Sequence, residues 1–295
     1  MKILNFGSLN LDLVYQMPHF VRAGETLSST SFSRNVGGKG LNQSVALAKA
    51  GAEVYHAGLV GEDGGMLRSF LQDNGVDARF VRTIDQPSGH AVIQVEPAGN
   101  NCIFLYGGAN MCVTEEFIRK ALAPFGAGDF LVLQNEVNAI DRIIELAAEK
   151  GMQVVLNPSP IADNLKDLPL DKVSWFILNE IEGGELSGET EADKILDKLT
   201  ALYPNAKIVL TLGGDGSVYA GNGERVSQPA YTVQAVDTTA AGDTFTGFFF
   251  AAVADGVPVA EALKRASKAS SISVTRPGAA ASIPTLNEVL AALKD

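Results

Sequence analysis

An α/β fold is predicted for this chain, with helices on both faces of a mostly parallel sheet and a small β-sheet lid beside it. Three features carry that prediction. Short strand-like apolar runs alternate with longer helical patterns along most of the sequence, and small-residue phrases recur where such runs end. Two stretches, 11–36 and 89–106, break the rhythm. Alternation of this kind gives right-handed β-α-β units, which bury a parallel sheet between two helical layers in a three-layer α/β/α core. In such sheets ligands bind at the carboxyl ends of the strands.

Taken in order, Ile3 to Ser8 reads as a strand, Leu41 to Ala50 as a helix, Val54 to Leu59 as a strand and Met66 to Asp73 as a helix. Apolar Phe130 to Leu133 is a strand, and Ile140 to Glu149 has the helical period. Val154 to Asn157 and Trp175 to Leu178 are again short, β-rich runs. Ala192 to Leu202 is helical and leads to the strand Lys207 to Thr211. The chain closes on helical patterns at Ala241 to Ala254, Val259 to Thr275 and Leu286 to Lys294. In the first interruption, Leu11 to Val36, Gly, Thr and Ser replace any helical period. In the second, Ala91 to Glu96 and Cys102 to Leu105 flank Pro97-Ala98-Gly99-Asn100-Asn101, a hairpin by its turn chemistry. The predicted division is a core of 1–10, 37–88 and 107–295 with a lid of 11–36 and 89–106.

With 295 residues, 46% hydrophobic and 19% charged, the chain is long enough for a large core and ordinary for a globular protein. A net charge of -11 opposes binding to nucleic acid or to an anionic membrane surface. Met1-Lys2-Ile3-Leu4-Asn5 runs straight into a strand pattern rather than a cleavable apolar segment. The apolar Phe248 to Ala254 is far shorter than the ~20 residues that span a bilayer. Two cysteines, Cys102 and Cys112, form no CxxC pair and suit a reducing cytoplasm. His19, His56 and His90 share no metal-ligand spacing.

The most informative phrase is Val236-Asp237-Thr238-Thr239-Ala240-Ala241-Gly242-Asp243-Thr244-Phe245-Thr246-Gly247. Small residues there precede an apolar helix. Consecutive backbone N–H groups, a helix N-terminus and the carboxylate of Asp243 therefore meet at one point. The first two bind anionic oxygens, and the third can take a proton from a hydroxyl. That pairing is what phosphoryl transfer to an alcohol requires. On residue type alone, Asp243 serves equally well as a first-turn carboxylate stabilising its own helix.

Other phrases fall at predicted strand ends. Asn35-Val36-Gly37-Gly38-Lys39-Gly40-Leu41-Asn42-Gln43 opens the first long helix; its glycines allow close approach, and Lys39 and Asn42 supply donors. It is not a P-loop, because Lys39 is followed by Gly40 rather than Ser or Thr. Asn10 and Asp12 share one side of an extended chain, where they can clamp adjacent hydroxyls or simply form a turn. Asn179 and Glu182, three apart at a helix start, are hard oxygen donors suited to hydrated magnesium or to stabilising the helix itself. Thr211-Leu212-Gly213-Gly214-Asp215-Gly216 lets a flat or phosphorylated ligand approach closely, or makes a plain hairpin into Ser217 to Ala220. Pro277 and Gly278 end the helix before them. Gly7-Ser8-Leu9-Asn10 does not supply the Gly-x-Gly-x-x-Gly of a Rossmann dehydrogenase.

These phrases, in this order and over the full chain, resemble those of the ribokinase-like (PfkB) family of carbohydrate kinases. The resemblance implies a Rossmann-like core with a lid and ATP-dependent phosphorylation of a primary hydroxyl on a small sugar, foremost the 5-hydroxyl of D-ribose. Other acceptors in the same chemistry are 2-deoxyribose, a ketohexose, a sugar acid or a nucleoside; a silent sugar-sensing protein is the alternative class. It assigns Asp243 as catalytic base, with Ala240, Ala241 and Gly242 forming the anion hole. Asn10, Asp12, Gly38, Lys39, Asn42 and Glu136 would hold the sugar, and Asn179, Thr211, Gly213, Gly214, Asp215, Gly216 and Gly242 the nucleotide. Magnesium would be held through water by Glu182. A potassium-like cation would sit among Asp237, Thr239, Ser273, Arg276, Gly278 and Ser282, within a loop resembling 273–282. His90 and bulky Phe104 depart from the smaller or apolar lid residues of the family. A cytoplasmic homodimer joined through the lid is also implied, consistent with the hazard of bare sheet edges.

Overall fold

The structure, a computed structural model, describes residues 1–294. Strand β1 (Ile3–Phe6) leads through β2 (Asn10–Gln16) and β3 (Ser31–Gly37) into helix α1 (Lys39–Lys49). Next come β4 (Val54–Val60), α2 (Gly65–Asp73), β5 (Asp77–Thr83), β6 (Gly89–Val95) and β7 (Asn101–Tyr106). The middle of the chain holds α3 (Glu115–Leu122), β8 (Phe130–Gln134), α4 (Ile140–Glu149), β9 (Gln153–Asn157) and β10 (Trp175–Asn179). It continues with α5 (Glu180–Ser187), α6 (Ala192–Leu202), β11 (Lys207–Thr211), β12 (Ser217–Gly221) and β13 (Glu224–Gln228). Helices α7 (Ala241–Ala254), α8 (Val259–Ser273) and α9 (Leu286–Ala292) close the chain.

Nine strands form one sheet in the order β13-β12-β11-β10-β9-β8-β1-β4-β5. The pairs from β11 across to β5 are parallel, and β12 and β13 add an antiparallel edge. Strand order runs outward in both directions from β1 and β8, so their carboxyl ends are the switch point where a ligand crevice forms. A separate four-stranded sheet, β3-β2-β6-β7, is assembled from the two interrupting stretches. Its inner pair, β2 and β6, is parallel, and its outer pairs are antiparallel. Strand β1 stops at Phe6 rather than Ser8; the Ser8 carbonyl accepts from the Leu41 N–H of α1 at 3.0 Å instead of from a neighbouring strand. No helix among the described residues is long and apolar enough to cross a membrane.

Side-chain alternation splits the core in two. Ile3, Val54, Phe130, Val132, Trp175 and Ile177 pack with α1, α2, α7, α8 and α9 on one face of the large sheet. Leu4, Phe6, Leu131, Leu133, Phe176 and Leu178 pack with α3, α4 and α6 on the other. Helix α7 is apolar nearly all round because α1, α8 and the sheet enclose it. Trp175 meets Phe250 edge-on with ring centroids 5.5 Å apart. Gly247 is where α7 crosses α1: a Cβ there would lie 2.3 Å from the Ala46 Cβ and 2.7 Å from the Leu47 nitrogen. Helix propensity alone favours alanine over glycine by about 1 kcal/mol. Overpacking reverses the sign, so Gly247→Ala should lower the unfolding free energy by roughly 1–3 kcal/mol in urea titrations.

Candidate active site

The connection from β13 to α7 ends at Ala240, a non-glycine residue held left-handed at φ 59°. That conformation is uncommon for alanine and makes a sharp entry into the helix. Ala241 gives its N–H to the Thr238 carbonyl (3.2 Å), so it is less free than the sequence suggested. The N–H groups of Gly242 and Asp243 lie in the first turn, where a helix supplies no acceptor of its own. Both residues line a cavity of about 240 Å³, together with Lys39, Asn157, Asn179 and Glu182.

Asp243 is buried between α7 and α1. Its Oδ2 accepts from Asn42 Nδ2 at 3.0 Å and its Oδ1 from Gln43 Nε2 at 2.9 Å. The carboxylate is thus fixed by α1 rather than spent on capping α7. Helix α1 is brought in by Gly38, whose φ of 95° is closed to most side chains. A Cβ at that point would also press within 3.0 Å of the Asn10 nitrogen and the Ser8 carbonyl. Burial opposes the charge on the Lys39 ammonium. The carboxylates of Asp243, Glu136 and Glu182 outweigh that cost and raise its pKa, so Lys39 is cationic.

Glu136, just beyond β8, accepts from the Ser8 hydroxyl and from the Lys39 backbone N–H (3.1 Å). Burial raises its pKa despite Ser8 and Lys39. Asn10 opens β2 and accepts from Asn110 Nδ2 at 2.8 Å. Asp12, two residues on, has its pKa raised to about 6, first by burial and then by the charge of Glu136. In the folded chain Asp12 therefore holds its proton up to near pH 6. The stabilisation that accompanies this is present below its ordinary value of 3.8 and lost as pH rises through about 6. An ionised Asp12 is the better acceptor for a sugar hydroxyl. We expect kcat/KM for the acceptor to fall on an acid limb near pH 6, a limb that Asp12→Asn flattens in a pH-rate profile.

A second cavity, of about 500 Å³, adjoins the first through Thr211, Thr238, Ala241 and Gly242. Gly213, Gly214 and Gly216 line it on one side, and Phe245 and Val274 on the other. Asp215 is exposed and is not part of this lining. Asn179 and Glu182 form a capping box on α5: Asn179 Oδ1 accepts the Glu182 N–H at 2.9 Å, and Glu182 Oε2 accepts the Asn179 N–H at 3.0 Å. Both readings of this pair meet here, since it caps the helix and also faces the cavity.

Asp237 ties two loops together. Its Oδ1 accepts the Thr239 N–H and its Oδ2 the Gly278 N–H, both at 2.9 Å. Burial alone would raise its pKa, but these bonds lower it. Ser273 and Ser282 turn their hydroxyls to the carbonyls of Ser270 and Ala279, and the Arg276 guanidinium pairs with Glu288 at 2.8 Å. Of the residues expected around a monovalent cation, Asp237, Thr239 and Gly278 are thus brought together, while the side chains of Ser273, Arg276 and Ser282 have other partners. Among the described residues no cluster of His, Cys, Asp or Glu can hold a metal ion directly. A magnesium ion here would be carried by phosphate oxygens and water, which is its habit, with Glu182 Oε1 not engaged in the capping box.

The cleft also uses residues that the sequence did not single out. Asn110 fastens Leu9 and Asn10, and Asn157 lines the smaller cavity. Leu105, Tyr106 and Met111 line a third cavity of about 350 Å³ against Asn10 and Glu136. In the small sheet, Phe104 is largely exposed, whereas His90 packs on Tyr106 with centroids 5.1 Å apart. Behind the cleft, the buried Gln134 at the end of β8 donates to Gln43 Oε1 and Asn5 Oδ1; an amide closing an otherwise apolar strand was the available signal for it.

Comparison with known proteins identifies the family and the fold. The profile of the pfkB family carbohydrate kinases matches residues 1–286. Ribokinase from Haemophilus influenzae is 36% identical over 293 residues, covering 96% of this chain and 95% of that one. Ribokinase from Cryptococcus neoformans, solved with ADP, is 34% identical and superposes with a TM-score of 0.87 over 99% of both chains. Ribokinase from Arabidopsis thaliana, solved with ribose and ATP, is 31% identical with a TM-score of 0.87, covering 99% of this chain and 98% of that one.

Proposed function

The chain belongs to the pfkB family of carbohydrate kinases, and from that premise we propose that it transfers the γ-phosphate of ATP to the 5-hydroxyl of D-ribose. The observation that carries the reading is the buried Asp243 carboxylate, held by Asn42 and Gln43 beside first-turn amides where the two cavities join. The larger cavity takes the nucleotide against Thr211, Gly213, Gly214 and Gly216. The smaller takes the phosphates, and the sugar lies among Asn10, Asp12, Gly38, Lys39, Asn42 and Glu136.

Asp243 removes the proton of the attacking hydroxyl as the new O–P bond forms and the bond to the β-phosphate oxygen breaks, releasing ADP. The amides of Gly242 and Asp243, with Ala240 and Ala241 shaping the turn, face the charge on the transferring group, and Lys39 adds a cation. Magnesium, when bound, neutralises phosphate charge, with Asn179 and Glu182 holding its waters. Potassium beside Asp237, Thr239 and Gly278 would hold the loop 273–282 against the entry to α7. The small sheet closes over the sugar and keeps water from competing as acceptor. Strand β7 is exposed along its length, with Ile103, Phe104, Leu105 and Tyr106 uncovered; a second copy pairing there gives a homodimer. Two free thiols suit a reducing cytoplasm.

A coupled ADP-release assay with ATP, magnesium and potassium tests the reading against ribose, 2-deoxyribose, fructose, sugar acids and nucleosides. Turnover should be greatest with ribose, and higher in potassium than in sodium. Preference for another acceptor would overturn ribose and keep the chemistry. Equal rates in both salts would remove the cation.

A further inference from the structure

At the centre of the large sheet, β1, β4 and β8 lie side by side, and each turns a polar side chain toward α1. These are Asn5, His56 and Gln134, and none has exposed surface; nor have Gln43 and Ser44 on the helix above them. Alternation explains the placement, because each strand residue stands two positions beyond an apolar neighbour on the same face: Ile3, Val54 and Val132. Apolar residues of similar volume would fill this layer at less cost, since every buried polar group must find a partner.

The five side chains form one directed chain of hydrogen bonds. An ionised Asp243 only accepts, so Gln43 must turn its NH₂ toward Oδ1 and its carbonyl inward. That carbonyl accepts from Gln134 Nε2 at 2.7 Å, and the same NH₂ donates to Asn5 Oδ1 at 2.9 Å. Asn5 Nδ2 then donates to the Gly40 carbonyl (2.7 Å) and to Ser44 Oγ (2.9 Å). Ser44 meets His56 Nδ1 at 2.7 Å. Burial pushes the His56 pKa down to about 4, so the ring is neutral and Nδ1 can accept. Every link fixes the orientation of the next, and the end that reaches the cavity is Asp243.

We infer that Gln134 is a positioning residue for phosphoryl transfer: it locks the Gln43 amide so that its NH₂ holds the Asp243 carboxylate in place. Without it, the Gln43 carbonyl is free to turn toward Asp243, where it repels the carboxylate. The inference rests on reading Asp243 as the base.

The test is a double-mutant cycle on the full chain with ribose and ATP. Gln134→Met should lower kcat by about tenfold to a hundredfold, as a small misplacement does, with KM for both substrates within about twofold. In an Asp243→Ala background the same change should leave residual turnover within about twofold, because the group it positions is gone. Equal losses in both backgrounds, or an unchanged kcat in Gln134→Met, would overturn the inference. Near-normal turnover of Asp243→Ala by itself would instead overturn the base. Should Gln134→Met not fold, Gln134→Asn, one methylene short of Gln43, takes its place with the same expected outcomes.

Discussion

Asp243→Asn should lower kcat by about 10²–10⁴-fold, the range that general base catalysis spans, while ATP and sugar still bind. The substitution keeps the volume of the side chain and its place between Asn42 and Gln43. It removes the charge and the site that receives a proton. One new NH₂ must also face a donor from α1, since both carboxylate oxygens now accept from amides. KM for ribose should therefore change far less than kcat, which marks an interaction made in the transition state. Steady-state rates with ribose and ATP, beside direct measurement of sugar binding, check this. Turnover near that of the parent would take Asp243 out of the chemistry.

Lys39→Met should produce the second largest loss. The Lys39 ammonium is buried, yet its pKa is raised because Asp243, Glu136 and Glu182 surround it. It balances Glu136, whose charge burial opposes, and it lines the smaller cavity, the proposed phosphate site. Loss of a single preorganised charge of this kind costs about 10²–10³ in rate. The Glu136 pKa, already raised by burial, should rise further, since Lys39 is one of the groups holding it down. The acid limb set by Asp12 should not move to higher pH, because Glu136, the charge that helps raise the Asp12 pKa, is then more easily neutralised. An unchanged rate in steady-state assays with ribose and ATP would mean that Lys39 only neutralises its neighbours.

Much of the fold was legible from periodicity. The central strands read correctly because they are buried on both faces, and α7 because Phe248 to Ala254 is apolar without interruption. Strand β5 was not legible: Asp77, Arg79 and Arg82 make a charged sheet edge, in keeping with how edges are protected but unlike a core strand. Helix α3 escaped notice because it spans only eight residues, and its amphipathic stripe is short. Strands β12 and β13 appeared as no more than a hairpin option after Gly216; β13 carries one apolar residue, Val226, among Glu224, Arg225, Ser227 and Gln228.

In the site, sequence spacing located Asp243 at its helix start, but not what holds it. Asn42 and Gln43 lie about two hundred residues away and meet it only because α1 and α7 cross at Gly247 and Ala46. Asn179 and Glu182 show the limit of local patterns from the other side. A spacing of three serves a capping box and a cavity wall alike, and here the same pair is both. Asn5 and Gln134 were not singled out, although each is a polar break in an otherwise apolar strand. Their significance depended on a partner helix that no local pattern specifies.

Phosphorus NMR of the reaction products tests the central claim most directly. With ribose, ATP and magnesium, a new monoester signal should grow in step with ADP as a triplet, split by the two protons of a primary carbon. Growth of inorganic phosphate alone, or of a doublet from a phosphate on a secondary or anomeric carbon, would contradict transfer to the 5-hydroxyl.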